Sequence, residues 1–367
     1  VMPDVLDVKV KCKSTTAIAQ DNEANENNKL KNAYFAVLLM DGDKMGKWVS
    51  GDNAPEFEKL VHKEVKKAFK SNEELEKAWD TLAKLKSLQP AYHKGLSRTL
   101  GIFSSLVEKV VEKYKGMLIY CGGDDVLALL PGDKALECAN DLRKLYSGTG
   151  FELECENEDK SVDIYKAENG VLRKNDTPIA PVMGEKATMS AGIAVVNHKF
   201  PLQVALQMAR EAEKCAKEYL GRNAFALRVV RRSGQITRVG AKWDYMDMDI
   251  PRTVTNLIND MASLKISSRS LYKLLPPDLT LFEDDIDQFV DYVIKRSTPS
   301  SKNEETKEKI DNYKKQLIGF IKAVYETYKA AHKNNKTSDN SRDNSYALKA
   351  PIDLLLSVRL MKRGVEK

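Results

Sequence analysis

Two apolar runs that stop abruptly at acidic residues constrain this chain more than any other feature. The first, Tyr34-Phe35-Ala36-Val37-Leu38-Leu39-Met40, ends on Asp41-Gly42-Asp43. The second, Met117-Leu118-Ile119-Tyr120-Cys121, ends on Gly122-Gly123-Asp124-Asp125 and resumes as Val126-Leu127-Ala128-Leu129-Leu130. A short continuous apolar run reads as a strand buried on both faces. Two such runs around a glycine-containing tetrapeptide read as a β-hairpin.

The segments between and after these runs fix the order of elements. Phe57, Leu60, Val61, Val65 and Phe69 recur at helical spacing, with Asn53 and Pro55 as start signals. Leu96, Leu100, Phe103, Val107, Val110 and Tyr114 form a second helical stripe. The polar stretch between them, about 71–89, predicts a peripheral helix. A helix is expected over 134–146, then a charged, turn-rich excursion of the sheet over 150–186. Residues 187–196 read as a strand and 202–220 as a helix with Met208, Ala212, Cys215 and Tyr219 inward. A strand over 224–230 follows, with 235–242 pairing to it. Strand, helix, hairpin, helix, strand is the split βαβ, or ferredoxin-like, arrangement (βαββαβ). Beyond Pro251 the pattern turns helical, clearest over 279–295, 304–333 and 346–362, with polar breaks at 297–303 and 334–344. The fold class is therefore α+β: a ferredoxin-like domain over 34–245, then an all-α domain over 246–367. Residues 1–33, polar and Asn-rich over 20–32 and lacking an initiator Met, read as a flexible connector following something missing.

Composition agrees with this organisation. A length of 367 residues predicts two or three domains. With 42% hydrophobic and 31% charged residues, the chain is neither wholly disordered nor collagen-like. No stretch nears the roughly 18 apolar residues of a membrane span, and no export leader is seen, so no membrane partner is expected. Five cysteines without a C-x-x-C pair argue against a disulfide framework or zinc site and for a reducing cytoplasm. The net charge of +6 permits a nucleotide or nucleic-acid partner without demanding one. His62, His93, His198 and His332 are each followed by Lys and are expected as solvated surface residues. Ile310, Tyr313, Leu317, Phe320, Ile321, Val324 and Tyr328 are expected as helical core, with Lys307, Lys314, Lys329 and Lys333 on a solvated face.

The chemistry lies in where the acids sit. In a split βαβ sheet the first strand lies beside the hairpin, so Asp41 and Asp43 meet Asp124 and Asp125 despite their distance in sequence. Clustered carboxylates repel and raise one another's pKa unless something positive lies between them. A hard divalent cation, Mg2+ or Mn2+, satisfies them, and magnesium usually takes one or two protein carboxylates plus phosphate oxygens and water. Gly122 and Gly123 allow a tight turn and a close approach by a triphosphate. The loop Asp41-Gly42-Asp43-Lys44-Met45-Gly46-Lys47 offers N–H and ammonium groups to phosphates. The implied reaction class is metal-assisted nucleotidyl transfer. Taken singly, Gly-Gly-Asp-Asp is usually a plain turn and Asp-Gly-Asp a common loop. Both at the ends of apolar runs, in this order, make a site.

Residues 34–46, the Gly122–Asp125 turn and residues 187–226 resemble the palm domain shared by GGDEF-type nucleotide cyclases and the large subunit of type III CRISPR effector complexes. Thr188-Met189-Ser190-Ala191-Gly192-Ile193-Ala194 resembles the cyclase strand, and Ala212 to Lys217 with Gly221-Arg222-Asn223 the helix and turn after it. Val126 after the turn, the Met-Asp-Gly-Asp-Lys-Met-Gly first strand, a basic Arg-Arg-Ser-Gly strand at 231–234 and the helical C-terminus favour the subtype III-B large subunit. The resemblance implies synthesis of cyclic oligoadenylate from ATP, switched on when guide RNA pairs with target RNA, within a complex of other subunits. It assigns Asp41 and Asp124 as metal ligands, Asp125 as ligand or catalytic support, and Gly42 as a carbonyl donor to the metal. Lys44, Met45 and Gly46 would meet phosphates through their backbone, beside Gly122 and Gly123. Lys217 and Arg222 resemble the phosphate-binding pair, at a spacing one residue longer than in typical cyclases. Asp43 either lines the nucleotide or orients the ligands from behind. No HD nuclease and no zinc module is expected in this chain, and a second palm would come from a missing N-terminal half or a partner chain. A free-standing dinucleotide cyclase, an enzyme joining adenylate to a small molecule, and a non-catalytic ATP-binding scaffold remain as alternatives.

Overall fold

The computed structural model describes residues 13–20, 34–71, 73–86, 88–156, 160–275, 285–298, 304–335 and 340–362. In chain order its elements are α1 (Thr15–Gln20), β1 (Tyr34–Gly42), α2 (Met45–Val49), α3 (Phe57–Leu60), α4 (Lys63–Lys70), α5 (Glu73–Leu82), α6 (Pro90–Lys113), β2 (Met117–Gly122), β3 (Asp125–Pro131) and α7 (Ala135–Ser147). Then come β4 (Thr149–Glu156), β5 (Val162–Glu168), β6 (Val171–Lys174), β7 (Thr177–Pro181), β8 (Met189–Asn197), α8 (Leu202–Lys214), a π-turn (Cys215–Tyr219), β9 (Ala224–Val230) and β10 (Ile236–Lys242). The small strands β11 (Asp244–Tyr245) and β12 (Met248–Asp249) lead into α9 (Ile250–Ser263), α10 (Arg269–Lys273), α11 (Ile286–Ser297), α12 (Glu304–Asn335) and α13 (Asn340–Lys362).

The main sheet has the order β10-β9-β8-β1-β3-β2. Its central part, β8-β1-β3-β2, is antiparallel throughout and is the ferredoxin-like order expected from the sequence. β9 joins parallel to β8 through α8, and β10 returns antiparallel to β9. The unbroken apolar run of β1 is explained by burial on both faces. Ala36, Leu38 and Met40 pack with Phe103 and Val107 of α6 and Leu142 of α7. Phe35 and Val37 point the other way, toward Ala205, Met208 and Ala209 of α8. Gly192 of β8 permits that second layer, because a Cβ there would run into the backbone of α8 at Ala209 and Glu213. Gly192→Ala is therefore expected to lower stability by about 3 kcal/mol, as overpacking against backbone does. Urea unfolding checks it, and an unchanged midpoint would contradict it.

Several local expectations are corrected. Residues 15–20 of the expected connector form α1, whose Ile18 is buried against Phe35 and Val37; the Asn-rich stretch beyond it lies outside the described residues. The helix expected over 57–69 breaks at Val61 into α3 and α4, since His62 is extended. Its Phe57 and Phe69 close on Trp79 of α5, at 6.2 and 5.2 Å between ring centroids. Residues 149–181 are not an excursion of the main sheet but a four-stranded sheet of their own, β4-β5-β6-β7. The expected basic strand at 231–234 is the tight turn between β9 and β10, with Gly234 at φ +83°. Lys314 is not a solvated lysine; it lies between Asp291 at 2.9 Å and Asp311 at 3.0 Å.

Beyond residue 249 every described element is helical, and Tyr313, Leu317, Phe320, Val324 and Tyr328 of α12 are buried as expected. One continuous apolar cluster runs from β1 and α7 through Trp243 to α9, α12 and α13. Trp243 is fully buried, its indole N–H donating to the Met189 carbonyl at 2.8 Å. Across this joint Lys144 of α7 pairs with Asp249 at 2.6 Å, and Asp249 also caps α9 through the Arg252 N–H. Among the described residues no helix is long and apolar enough to cross a membrane.

Candidate functional site

The site is where β1 and the β2–β3 hairpin end together. The last registered pair of β1 and β3 is Met40 with Val126, and one residue further on each strand stand Asp41 and Asp125. Gly123, at φ +76°, lets the hairpin turn tightly enough to bring Asp124 back over β1. A Cβ on Gly42 would sit 2.8 Å from Asp124 Oδ2 and 2.7 Å from the Tyr146 hydroxyl. Gly42 is thus glycine because the Asp124 carboxylate fills the space beside it. Gly122 differs from expectation: the close approach there is made by Tyr120, whose hydroxyl lies where a Cβ would go.

The carboxylates fall into three kinds. Burial pushes both Asp124 and Asp125 above the usual carboxylate range, and the Asp125 charge adds to the rise at Asp124. Their charge is undercompensated by the protein. Asp41, in contrast, carries the Lys217 ammonium as counter-ion, and Lys217 also reaches Glu213 Oε1 at 2.6 Å. Burial, and then the Arg222 guanidinium, pull Lys217 down to about 8. Asp43 is committed inward. It accepts from the Thr188 hydroxyl and the Ser190 hydroxyl, each at 2.7 Å, and from the Asn223 N–H at 2.9 Å. Its own N–H donates to the Thr188 carbonyl at 2.8 Å. Buried and bonded in this way, Asp43 ties the end of β1 to β8 and to the turn before β9.

Lys44 takes a left-handed conformation, φ +55°, to start α2, and Lys44, Gly46 and Lys47 are exposed on the lip of the site. Met45 is half-buried against the core. Arg222, also left-handed at φ +65°, donates its N–H to the Ala216 carbonyl at 3.0 Å. Between Lys217 and Arg222 the chain leaves α8 through the π-turn, where the Leu220 N–H bonds to the Cys215 carbonyl five residues back.

Four contributors were not legible as site residues. Glu213 lies one helical turn before Lys217, and Asp125 and Asp43 raise its pKa further after burial has done most. Tyr146 is pushed up by burial and then by the charges of Asp124 and Asp43, so its hydroxyl keeps its proton beside them. Thr188 and Ser190 stand two apart on one strand and so share a face. That alternation of hydroxyls was the available signal.

The donor set fits a hard cation. Asp124 and Asp125 are undercompensated carboxylates that could hold one, Asp124 lying against Gly42 and Asp125 one strand away from Asp41. Magnesium needs only one or two such carboxylates when phosphate and water complete its shell. Among the described residues no three His, Cys, Asp or Glu side chains converge into a closed cage.

A ferredoxin-like sheet with paired carboxylates at β1 and in the following hairpin defines a palm-type domain. Residues 34–226 match the family described as Cas10/Cmr2, second palm domain. The chain belongs to the Cas10/Cmr2 family. The CRISPR system Cmr subunit Cmr2 of Pyrococcus furiosus is 32% identical over 297 residues, covering 80% of this chain and 29% of that protein. The CMR subunit Cmr2 of Saccharolobus solfataricus is 29% identical over 115 residues, covering 31% of this chain and 10% of that protein. The chain thus spans less than a third of the length of these relatives. Among solved structures, the type III-B Cmr-beta complex bound to cognate target RNA contains a chain of like fold. The TM-score is 0.53 at 16% identity, over 76% of this chain and 36% of that one.

Proposed function

We propose that this chain supplies the cyclase palm of a type III CRISPR effector, converting ATP to cyclic oligoadenylate when guide RNA pairs with target RNA. The observation that carries the reading is the pair Asp124 and Asp125, undercompensated in charge and set against Gly42 at the end of β1. In the reaction the 3′-hydroxyl of one nucleotide attacks the α-phosphorus of another. The new O–P bond replaces the bond to the β-phosphate oxygen, pyrophosphate leaves, and the hydroxyl proton passes to solvent or base. Asp124 and Asp125, with Asp41 and the Gly42 carbonyl, would hold Mg2+ or Mn2+, which would polarise the α-phosphate and stabilise the charge on both oxygens. Lys217 and Arg222 neutralise the triphosphate from the α8 side, and the backbone N–H groups of Lys44, Met45 and Gly46 meet it from the lip. Tyr146 keeps a protonated hydroxyl beside Asp124, and Asp43 fixes the strand ends that carry the ligands. The remaining nucleotide pocket is assigned to a second palm, from elsewhere in the same protein or from a partner subunit.

Product analysis tests the proposal. The protein, assembled with its complex, is incubated with ATP and Mg2+ or Mn2+, with and without cognate target RNA, and products are read by mass spectrometry. Cyclic oligoadenylate only in the presence of target RNA is expected. A two-nucleotide ring made without RNA, an adenylated small molecule, or bound ATP with no pyrophosphate release would each overturn it.

A further inference from the structure

We propose that the helical region sets the reach of Lys217 from outside the nucleotide site, through Tyr219, Tyr328 and His332. The inference deepens the proposed function and rests on it.

Lys217 sits at the middle of the π-turn and Tyr219 closes it. The π-turn, a rare helix geometry, ends α8 and persists where its surroundings hold it. Here α12 holds it. The Tyr219 hydroxyl lies 2.8 Å from a ring nitrogen of His332, and the two rings meet edge to face, 5.5 Å apart at 81°. The Tyr219 ring also lies 6.1 Å from that of Tyr328, whose hydroxyl accepts the Gly240 N–H at 2.8 Å. Tyr328 and His332 are four residues apart on α12 and so share one helix face. That face grips two things at once: the turn carrying Lys217 and the outer edge of the sheet at β10.

The packing has no slack. A Cβ on Gly240 would meet the Phe225 carbonyl at 2.5 Å and Leu220, just past the turn, at 2.7 Å. Slipping the turn by one residue would swing Lys217 about 100° around the helix axis, away from Asp41 and Glu213. Tyr219, Tyr328 and His332 act through Lys217 and are positioning residues. His332, expected as a solvated histidine, is half-buried for this reason.

A double-mutant cycle in the assembled complex with cognate target RNA tests this, using KM and kcat for ATP and the Kd of a non-hydrolysable ATP analogue. Tyr219→Phe keeps the ring and removes the hydroxyl. It is expected to raise KM and Kd about fivefold, the size of one lost hydrogen bond, with kcat unchanged. In the Lys217→Ala background the same change is expected to have no further effect, whereas a merely structural role would give additive losses. His332→Gln keeps a partner for the hydroxyl and is expected to bind as the parent does. His332→Leu is expected to behave like Tyr219→Phe. An unchanged Kd in Tyr219→Phe, or an equal effect with and without Lys217, overturns the inference. Absence of turnover in the parent overturns the proposed function instead, and the Kd cycle still decides the positioning.

Discussion

A double variant with Asp124→Asn and Asp125→Asn is expected to lose cyclic oligoadenylate synthesis by on the order of a thousandfold or more, while folding at least as stably as the parent. On the proposed function, the loss follows from removing both undercompensated carboxylates at the strand end, and with them several kcal/mol of charge stabilisation at the reacting phosphate. The gain in stability follows from the direction of the pKa shifts. Both carboxyls are raised in the folded chain, chiefly by burial. A raised carboxylate weighs against the fold once ionised. The penalty is absent below the unfolded carboxylate pKa and complete above the folded value. Asparagine never ionises, so at pH 7 without metal the variant escapes it. Thermal unfolding should show an equal or higher Tm than the parent at pH 7, the gap closing as the pH falls through the carboxylate range. Product at the parental rate would sink the site assignment; a lower Tm at pH 7 would sink the electrostatic account.

Asp43→Asn should do the opposite, although the residue lies two positions from Asp41 in the same loop. Its carboxylate receives two hydroxyls and one backbone N–H, each within 2.9 Å. Hydrogen bonds to a charged acceptor contribute roughly 1.5–3 kcal/mol each and do not sum fully. The amide keeps the volume but turns an NH2 group toward donors. A stability loss of about 4 kcal/mol is expected, with ATP affinity falling as β1, β8 and the turn before β9 lose their common anchor. Urea denaturation measures it as a lower midpoint at unchanged slope. A loss under about 1 kcal/mol would show that the three donors find other acceptors.

The contrast explains what the sequence made legible. The sheet could be read because β1, β2 and β3 are written as uninterrupted apolar runs, and two-sided burial leaves such a run one assignment. Asp124 and Asp125 could be read because glycines and acids at a hairpin tip are a local pattern. Asp43 looked the same as Asp41 from the sequence. Their different fates depend on Thr188 and Ser190, which reach Asp43 only after β8 has paired with β1. Tyr146 was legible as a helical residue, not as a neighbour of Asp124, because the crossing of α7 over the sheet is a tertiary fact. The break at Val61 and the anchored α1 were missed for the same reason. Each is decided by a partner distant in sequence: Trp79 for Phe57 and Phe69, and Phe35 with Val37 for Ile18.

The apolar cluster running through Trp243 has a mechanical meaning. A seam in composition near residue 245 is not a hinge, because the side chains on either side of it share one interior. Rocking the helices against the sheet would open that interior to water. The helices α9 and α12 and the sheet whose strand ends carry Asp41 and Asp125 are thus packed around the same interior.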